Sequence, residues 1–93
     1  MEPIFEWDGE QYSNEQEIID GGARIIYWYC RDVKGRWRDI EHLMVENGLF
    51  GYWYAKDVIR GRYEPELEIL YLMKHNRHWV DRYIRDLVRY GNV

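Results

Sequence analysis

Nucleophiles are scarce in this chain of 93 residues: it has no threonine, its only serine is Ser13 and its only cysteine is Cys30. A single cysteine excludes an internal disulfide and the paired spacing of a cysteine zinc site, and it suits a reducing cytosol. No apolar run approaches the roughly 20 residues that a membrane-spanning helix needs, and Met1-Glu2-Pro3-Ile4 does not open a signal peptide. The expected setting is therefore cytoplasmic, with no membrane partner. No linker rich in proline, glycine and serine divides the chain, and nothing in it is of low complexity. Gly21-Gly22 precedes a helix without the Lys-Ser/Thr sequel of a phosphate-binding loop. These absences argue against nucleophilic catalysis, a resident metal and a bound cofactor.

Aromatic rings are plentiful, with 5 Trp, 9 Tyr and 2 Phe, a supply that favours a packed core over disorder. The chain also repeats itself. Ile25-Ile26-Tyr27-Trp28-Tyr29-Cys30-Arg31-Asp32-Val33 returns as Phe50-Gly51-Tyr52-Trp53-Tyr54-Ala55-Lys56-Asp57-Val58, and more loosely as Trp79-Val80-Asp81-Arg82-Tyr83-Ile84-Arg85-Asp86-Leu87. The first two copies share a tail, Gly35-Arg36-Trp37 and Gly61-Arg62-Tyr63. Asp57 follows Asp32 by 25 positions and Asp86 follows Asp57 by 29, room for two short helices with tight turns. Self-similarity at this period means stacked supersecondary units. The fold class is mainly α: a short α-solenoid-like stack of roughly two and a half helix pairs, with a small N-terminal β-hairpin. Residues 1–93 form a single domain, divided as an N-terminal cap (1–22), repeat one (23–48), repeat two (49–76) and a half repeat (77–93).

Local signals supply the elements. Phe5 to Tyr12 alternates around Asp8-Gly9, a hairpin turn pair. Ser13 caps a short helix with Gln16 at the capping-box position, and Gly21-Gly22 ends it. The first repeat helix runs from Ala23 to Lys34, burying Ile25, Ile26, Tyr29, Cys30 and Val33, and Gly35 closes it. A partner helix from Arg38 to Glu46 buries Ile40, Leu43 and Met44, with Asn47-Gly48 as a left-handed exit. Repeat two buries Phe50, Tyr54, Ala55, Val58 and Ile59, stops at Gly61, and restarts at Glu64-Pro65 with Leu67, Leu70 and Tyr71 inward. His75-Asn76 breaks the chain before a last helix, Arg77 to Tyr90, with Trp79, Val80, Tyr83, Ile84, Leu87 and Val88 on one face.

Recurrence separates structural positions from free ones. The position of Cys30, Ala55 and Ile84 accepts any apolar side chain, so Cys30 is a packed thiol and not a reactive one. The basic–acidic pairs Arg31-Asp32, Lys56-Asp57 and Arg85-Asp86 recur; adjacent residues on a helix diverge, so each Asp should find a repeat-to-repeat ion pair or the backbone of the next turn, with Arg36 and Arg89 in reach of Asp32 and Asp86. His75 and His78 have the spacing of a ligand pair but no third ligand, and read as exposed histidines. Glu64, Glu66 and Glu68 stand at a helix start, where acids suit the dipole.

Two charged surfaces and one aromatic one remain as candidates. Residues 1–20 hold seven acids and no base, and Glu6, Asp8, Glu10, Glu15 and Glu17 are candidate protein-binding residues. Arg82, Arg85 and Arg89 line one side of the last helix and are candidates for nucleic-acid binding. Tyr27, Trp28, Tyr52 and Trp53 sit at the margins of their stripes; Tyr27 and Tyr52 are read either as protein-binding rings or as inter-helix packing.

Over residues 25–90 the chain resembles a loosely defined family of helical-repeat proteins of bacteriophages and other viruses, with units of the form aromatic-x-Tyr-Ala-Arg-Asp-Val-Ile-x-Gly-Arg-Trp-x-Glu. Tyr52-Trp53-Tyr54-Ala55-Lys56-Asp57-Val58-Ile59-Arg60-Gly61-Arg62-Tyr63-Glu64 matches best. Repeat one is one residue short before Gly35, and no Arg-aromatic tail follows Tyr90-Gly91. The resemblance implies a repeat fold and a phage or mobile-element setting, in the cytoplasm of a host cell; it carries no activity. The expected function is a non-catalytic protein-binding module that inhibits a host defence complex such as a CRISPR effector. The alternatives are a nucleic-acid-binding module and a structural accessory protein of a viral assembly. An unfinished last repeat also makes a homodimer plausible.

Overall fold

The computed structural model describes residues 2–89. It opens with an antiparallel hairpin, β1 (Phe5–Trp7) and β2 (Glu10–Tyr12), in the register Phe5 with Tyr12, Glu6 with Gln11 and Trp7 with Glu10. Asp8 and Gly9 both take positive φ, 52° and 83°, as a two-residue hairpin turn with right-handed strand twist requires. In α1 (Glu15–Asp20) the cap is Asn14, not Ser13: the Asn14 side chain accepts the Glu17 N–H at 3.0 Å, and the Glu17 carboxylate accepts the Ser13 N–H at 2.6 Å. Glu17, three residues after Asn14, outcompetes Gln16, which donates instead to Asp20 at 2.9 Å.

Three longer helices carry the repeated segment. α2 (Ala23–Tyr29) runs on through a π turn (Cys30–Lys34), and so covers the whole expected span before Gly35. α4 (Gly48–Tyr54) continues as Ala55–Ile59, and α6 (Arg77–Tyr83) as Ile84–Arg89; the expected end at Tyr90 lies outside the described residues. The wide turn recurs directly after Tyr29, Tyr54 and Tyr83, and in the first two copies the Gly35 and Arg60 N–H groups reach Cys30 and Ala55 carbonyls at 2.7 Å. Arg60, at φ 61°, is the left-handed stop, one residue before the expected Gly61.

The partner segments are shorter than expected in repeat one. A 3-10 turn (Arg38–Ile40) leads into α3 (Glu41–Met44), whereas α5 (Pro65–Lys74) is a full helix with Pro65 in its first turn. Asn47 is not a left-handed exit. Its backbone is extended and its side chain accepts the Phe50 N–H at 2.8 Å, so it starts α4, as Asn76 starts α6.

Stacking follows chain order: hairpin on α2, α2 on α4, α4 on α6, in a body of 44 × 22 × 22 Å. The hairpin stands where a preceding repeat would. Trp7 stacks on Trp28 with ring centroids 4.5 Å apart, and Phe5 meets Tyr29 edge-on at 5.5 Å. The expected stripes are buried at Ile25, Ile26, Tyr29, Cys30, Ile40, Met44, Tyr54, Ala55, Tyr71, Tyr83 and Leu87. Val33, Leu70 and Ile84 are corrections, since all three are exposed. Val33 and Ile84 belong to the first and last copies, where a neighbouring repeat does not cover the position on one side, and Leu70 lies on the outer side of α5.

Candidate functional site

The most constrained polar groups lie at the junctions between repeats, and each junction is built the same way. Arg36 forks onto Glu41, with Nε and Nη2 at 2.8 and 3.1 Å from the two carboxylate oxygens. The Tyr54 hydroxyl, from the next repeat, donates to Glu41 at 2.8 Å and accepts the Trp37 N–H at 2.9 Å. One repeat later Arg62 forks onto Glu68 at 2.9 and 2.7 Å, and Tyr83 donates to Glu68 at 2.7 Å while accepting the Tyr63 N–H at 2.9 Å. The turn after each helix buries a backbone N–H that lacks a helical acceptor, and the incoming tyrosine satisfies it. Burial, the first cause, raises the Tyr54 and Tyr83 hydroxyls well above their ordinary value, so both remain donors at neutral pH. Glu41 escaped sequence reasoning, and Glu68, read there as a helix-start acid, is buried in the junction instead. The signal was there: an acid five or six residues after the arginine of each shared Gly-Arg-aromatic tail.

A second recurring contact decides between the two readings of Tyr27 and Tyr52. Both are buried, as inter-helix packing requires, and neither is presented as a binding ring. Tyr27 donates to Asp57 of the next repeat at 2.5 Å, and Tyr52 donates to Asp86. Asp57 and Asp86 therefore do reach across repeats, through tyrosine hydroxyls rather than ion pairs, whereas Asp32 is exposed and its expected partner Arg36 is taken by Glu41. Lys56 and Arg85 also touch their adjacent aspartates, at 3.5 and 3.0 Å. Trp28 and Trp53 are half-buried, Trp53 against Tyr27 and Phe50. A charge-assisted hydrogen bond of this kind is worth about 1.5–3 kcal/mol, so Tyr52→Phe should lose about that much in urea unfolding, with an unchanged m value.

The acidic candidates divide. Glu15 is half-buried and accepts from Tyr29 at 2.9 Å and from Lys34 at 2.7 Å, and Glu17 serves the α1 cap, so neither is free to meet a partner. Glu6, Asp8 and Glu10 are exposed on the hairpin and, among the described residues, have no ion pair. At the opposite end, Arg82, Arg85 and Arg89 are all exposed, with Arg85 held by Asp86. The stack thus carries carboxylates at one end and guanidinium groups at the other, up to 44 Å apart along its axis.

The remaining candidates for chemistry are structural. His75 is in extended backbone outside the helices and its Nε2 lies 2.6 Å from the Val45 carbonyl, so it is neither exposed nor on a helical face shared with His78. No group of three or more metal-ligating side chains is assembled among the described residues. Cys30 is buried, and desolvation pushes its thiol up to about 12; thiol labelling of the native protein should be negligible and become complete only in denaturant. An open cleft of about 480 Å³ is lined by Arg38, Glu41, Glu64, Pro65, Glu66 and Leu67. Of the junction only Glu41 lines it, and that buried carboxylate is already bonded to Arg36 and Tyr54.

The junction acids also set an acid limit. The Arg62 fork and the Tyr83 bond hold Glu68 below its ordinary 4.5, Tyr52 and then Arg85 hold Asp86 below 3.8, and Lys34 and then Tyr29 hold Glu15 below 4.5. Carboxyls depressed in the folded state contribute stability that is complete above the unfolded values and disappears as pH falls through the folded ones. The melting temperature should be level from pH 7 to about 5 and fall steeply below about 4.5; a level curve down to pH 3 would contradict it. No helix is long and apolar enough to cross a membrane among the described residues. Comparison with protein-family models, with curated proteins and with solved structures gives no match to this chain.

Proposed function

We propose that this chain is a non-catalytic binding module whose hairpin end docks on a basic surface of another protein. The observation that carries the reading is the contrast among its carboxylates: Glu41, Glu68, Asp57 and Asp86 are consumed in the junctions, while Glu6, Asp8 and Glu10 project from a rigid hairpin without a counter-charge among the described residues. Unpaired like charges on an ordered element cost stability through mutual repulsion and gain it back against a complementary field. The Trp7–Trp28 stack fixes that hairpin to α2, so the charges are held in place before any partner arrives. The resemblance to phage helical-repeat proteins supplies the setting: a host cell, and a defence complex with a basic nucleic-acid channel, such as a CRISPR effector, as the partner class.

The test is affinity capture from nuclease-treated host lysate with the natural sequence and with Glu6→Lys/Asp8→Lys/Glu10→Lys in parallel. The reading expects a stoichiometric host complex that the triple variant binds at least about tenfold more weakly, since three attractions become three repulsions. Equal capture by both proteins would overturn it. Capture that requires intact nucleic acid, and is lost in Arg82→Ala/Arg85→Ala/Arg89→Ala, would transfer the function to the arginine end, with a steep salt dependence.

A further inference from the structure

We infer that α5 is the seam of a two-fold dimer, packing antiparallel against α5 of a second copy. Glu66, Ile69, Leu70 and Met73 fall at i, i+3, i+4 and i+7 on its outer side, while Glu68 and Tyr71 point into the junction. Ile69, Leu70 and Met73 are 57%, 42% and 77% exposed. The repeat itself shows that stacking does not demand them. Glu41 and Glu68 play the same part, so Ile69 and Met73 correspond to His42 and Glu46, which are equally outward and polar. Repeat two has apolar side chains where repeat one has charge or imidazole, at positions that neither repeat buries. A Met left open at the centre of such a stripe is the adaptable side chain favoured at binding faces.

The charges on the helix choose the occupant. The stripe starts with Glu66, which has no ion pair among the described residues, and ends beside Lys74, which is 44% exposed and holds Glu46 with one of its three donors. An antiparallel second copy brings Glu66 of one chain to Lys74 of the other on both sides of the apolar centre, whereas a parallel one sets like against like. A surface that complements itself in this way closes as an isologous pair. With three apolar side chains per copy it belongs to the small, weak interface class, so the dimer should form only at high protein concentration.

Sedimentation equilibrium from 1 to 300 µM measures it, with protein melts as the folding control. The natural sequence should shift from monomer to dimer across that range. Met73→Glu should raise the dissociation constant at least about tenfold, and Glu66→Lys and Lys74→Glu should each weaken it, while Glu66→Lys/Lys74→Glu together restore it, because the swapped charges again oppose each other. Two results would overturn the inference: a monomer at every concentration, or a dimer that Met73→Glu leaves intact. So would a monomer whose capture of a host protein depends on Met73, which would give the face to that protein.

Discussion

Glu41→Ala should destabilise the protein by about 3–5 kcal/mol, because removing one member of a buried ion pair strands the other. Glu41 is 1% exposed. Its carboxylate takes both Arg36 donors and the Tyr54 hydroxyl, so the variant leaves a guanidinium facing a void and a buried hydroxyl with no acceptor. In a domain whose whole stability is on the order of 5–15 kcal/mol, that loss should lower the melting temperature by at least about 12 °C. Glu64→Ala is the control. Glu64 is exposed, sits 3.2 Å from Arg38 Nε and reaches the outer side of Arg36 only at 3.9 Å, and surface pairs of that sort are worth at most about 1 kcal/mol. If the two variants melted together, the junction would not be what holds repeat one to repeat two. Glu41→Gln separates charge from hydrogen bonding: it can still accept from Tyr54, and it should recover part of the loss.

Gly51→Val should cost about 3 kcal/mol or more, by forcing α3 and α4 apart. A Cβ at Gly51 would stand 2.6 Å from the Met44 carbonyl oxygen and 2.9 Å from Tyr71 Cε1. The oxygen belongs to backbone, tied by the Asn47 N–H at 3.1 Å, and it cannot swing aside as a side chain can. Gly51 also presents its own carbonyl to the Tyr63 hydroxyl at 2.5 Å, so moving α4 strains that hydrogen bond as well. At Gly48 the same addition would meet the Trp79 ring at 2.7 Å, a side chain that is only half-buried, and Gly48→Ala should cost less. At Gly9 there is open space and only a positive φ of 83°, so Gly9→Ala should cost about 1 kcal/mol. Urea titrations of the three variants should keep this order; Gly51→Val as mild as Gly9→Ala would mean that the α3–α4 contact is slack.

Gly51 also shows where recurrence misleads. Its counterpart in repeat one is Ile26, a fully buried side chain, so the alignment of the two copies offers no hint that glycine is needed. The close approach comes from the Met44 backbone and from Tyr71, neither of which is near Gly51 in the repeated segment. Recurrence left Tyr27 and Tyr52 open between packing and binding, and burial decides for packing. Their place at the edge of a helical stripe was visible, but the direction in which an edge residue turns depends on the neighbouring helix, and the Asp57 and Asp86 acceptors lie 30 and 34 residues away. The acidic segment was legible as composition. That Glu15 and Glu17 are spent locally while Glu6, Asp8 and Glu10 are not depends on where Tyr29, Lys34 and the α1 cap come to rest.

By itself the sequence determined what local chemistry can enforce. Asp8-Gly9 makes the hairpin turn because it tolerates positive φ, Pro65 opens α5 because it needs no hydrogen bond there, and Gly35 ends the first helix in a conformation closed to side chains with a Cβ. It also determined that the units repeat, since identical packing demands keep identical residues, Tyr29, Tyr54 and Tyr83 among them. Only the tertiary structure decided which polar groups meet. The Arg36–Glu41–Tyr54 and Arg62–Glu68–Tyr83 junctions join side chains from successive repeats, and a partner choice of that kind is set by how the helices stack, a long-range geometry that no local propensity encodes.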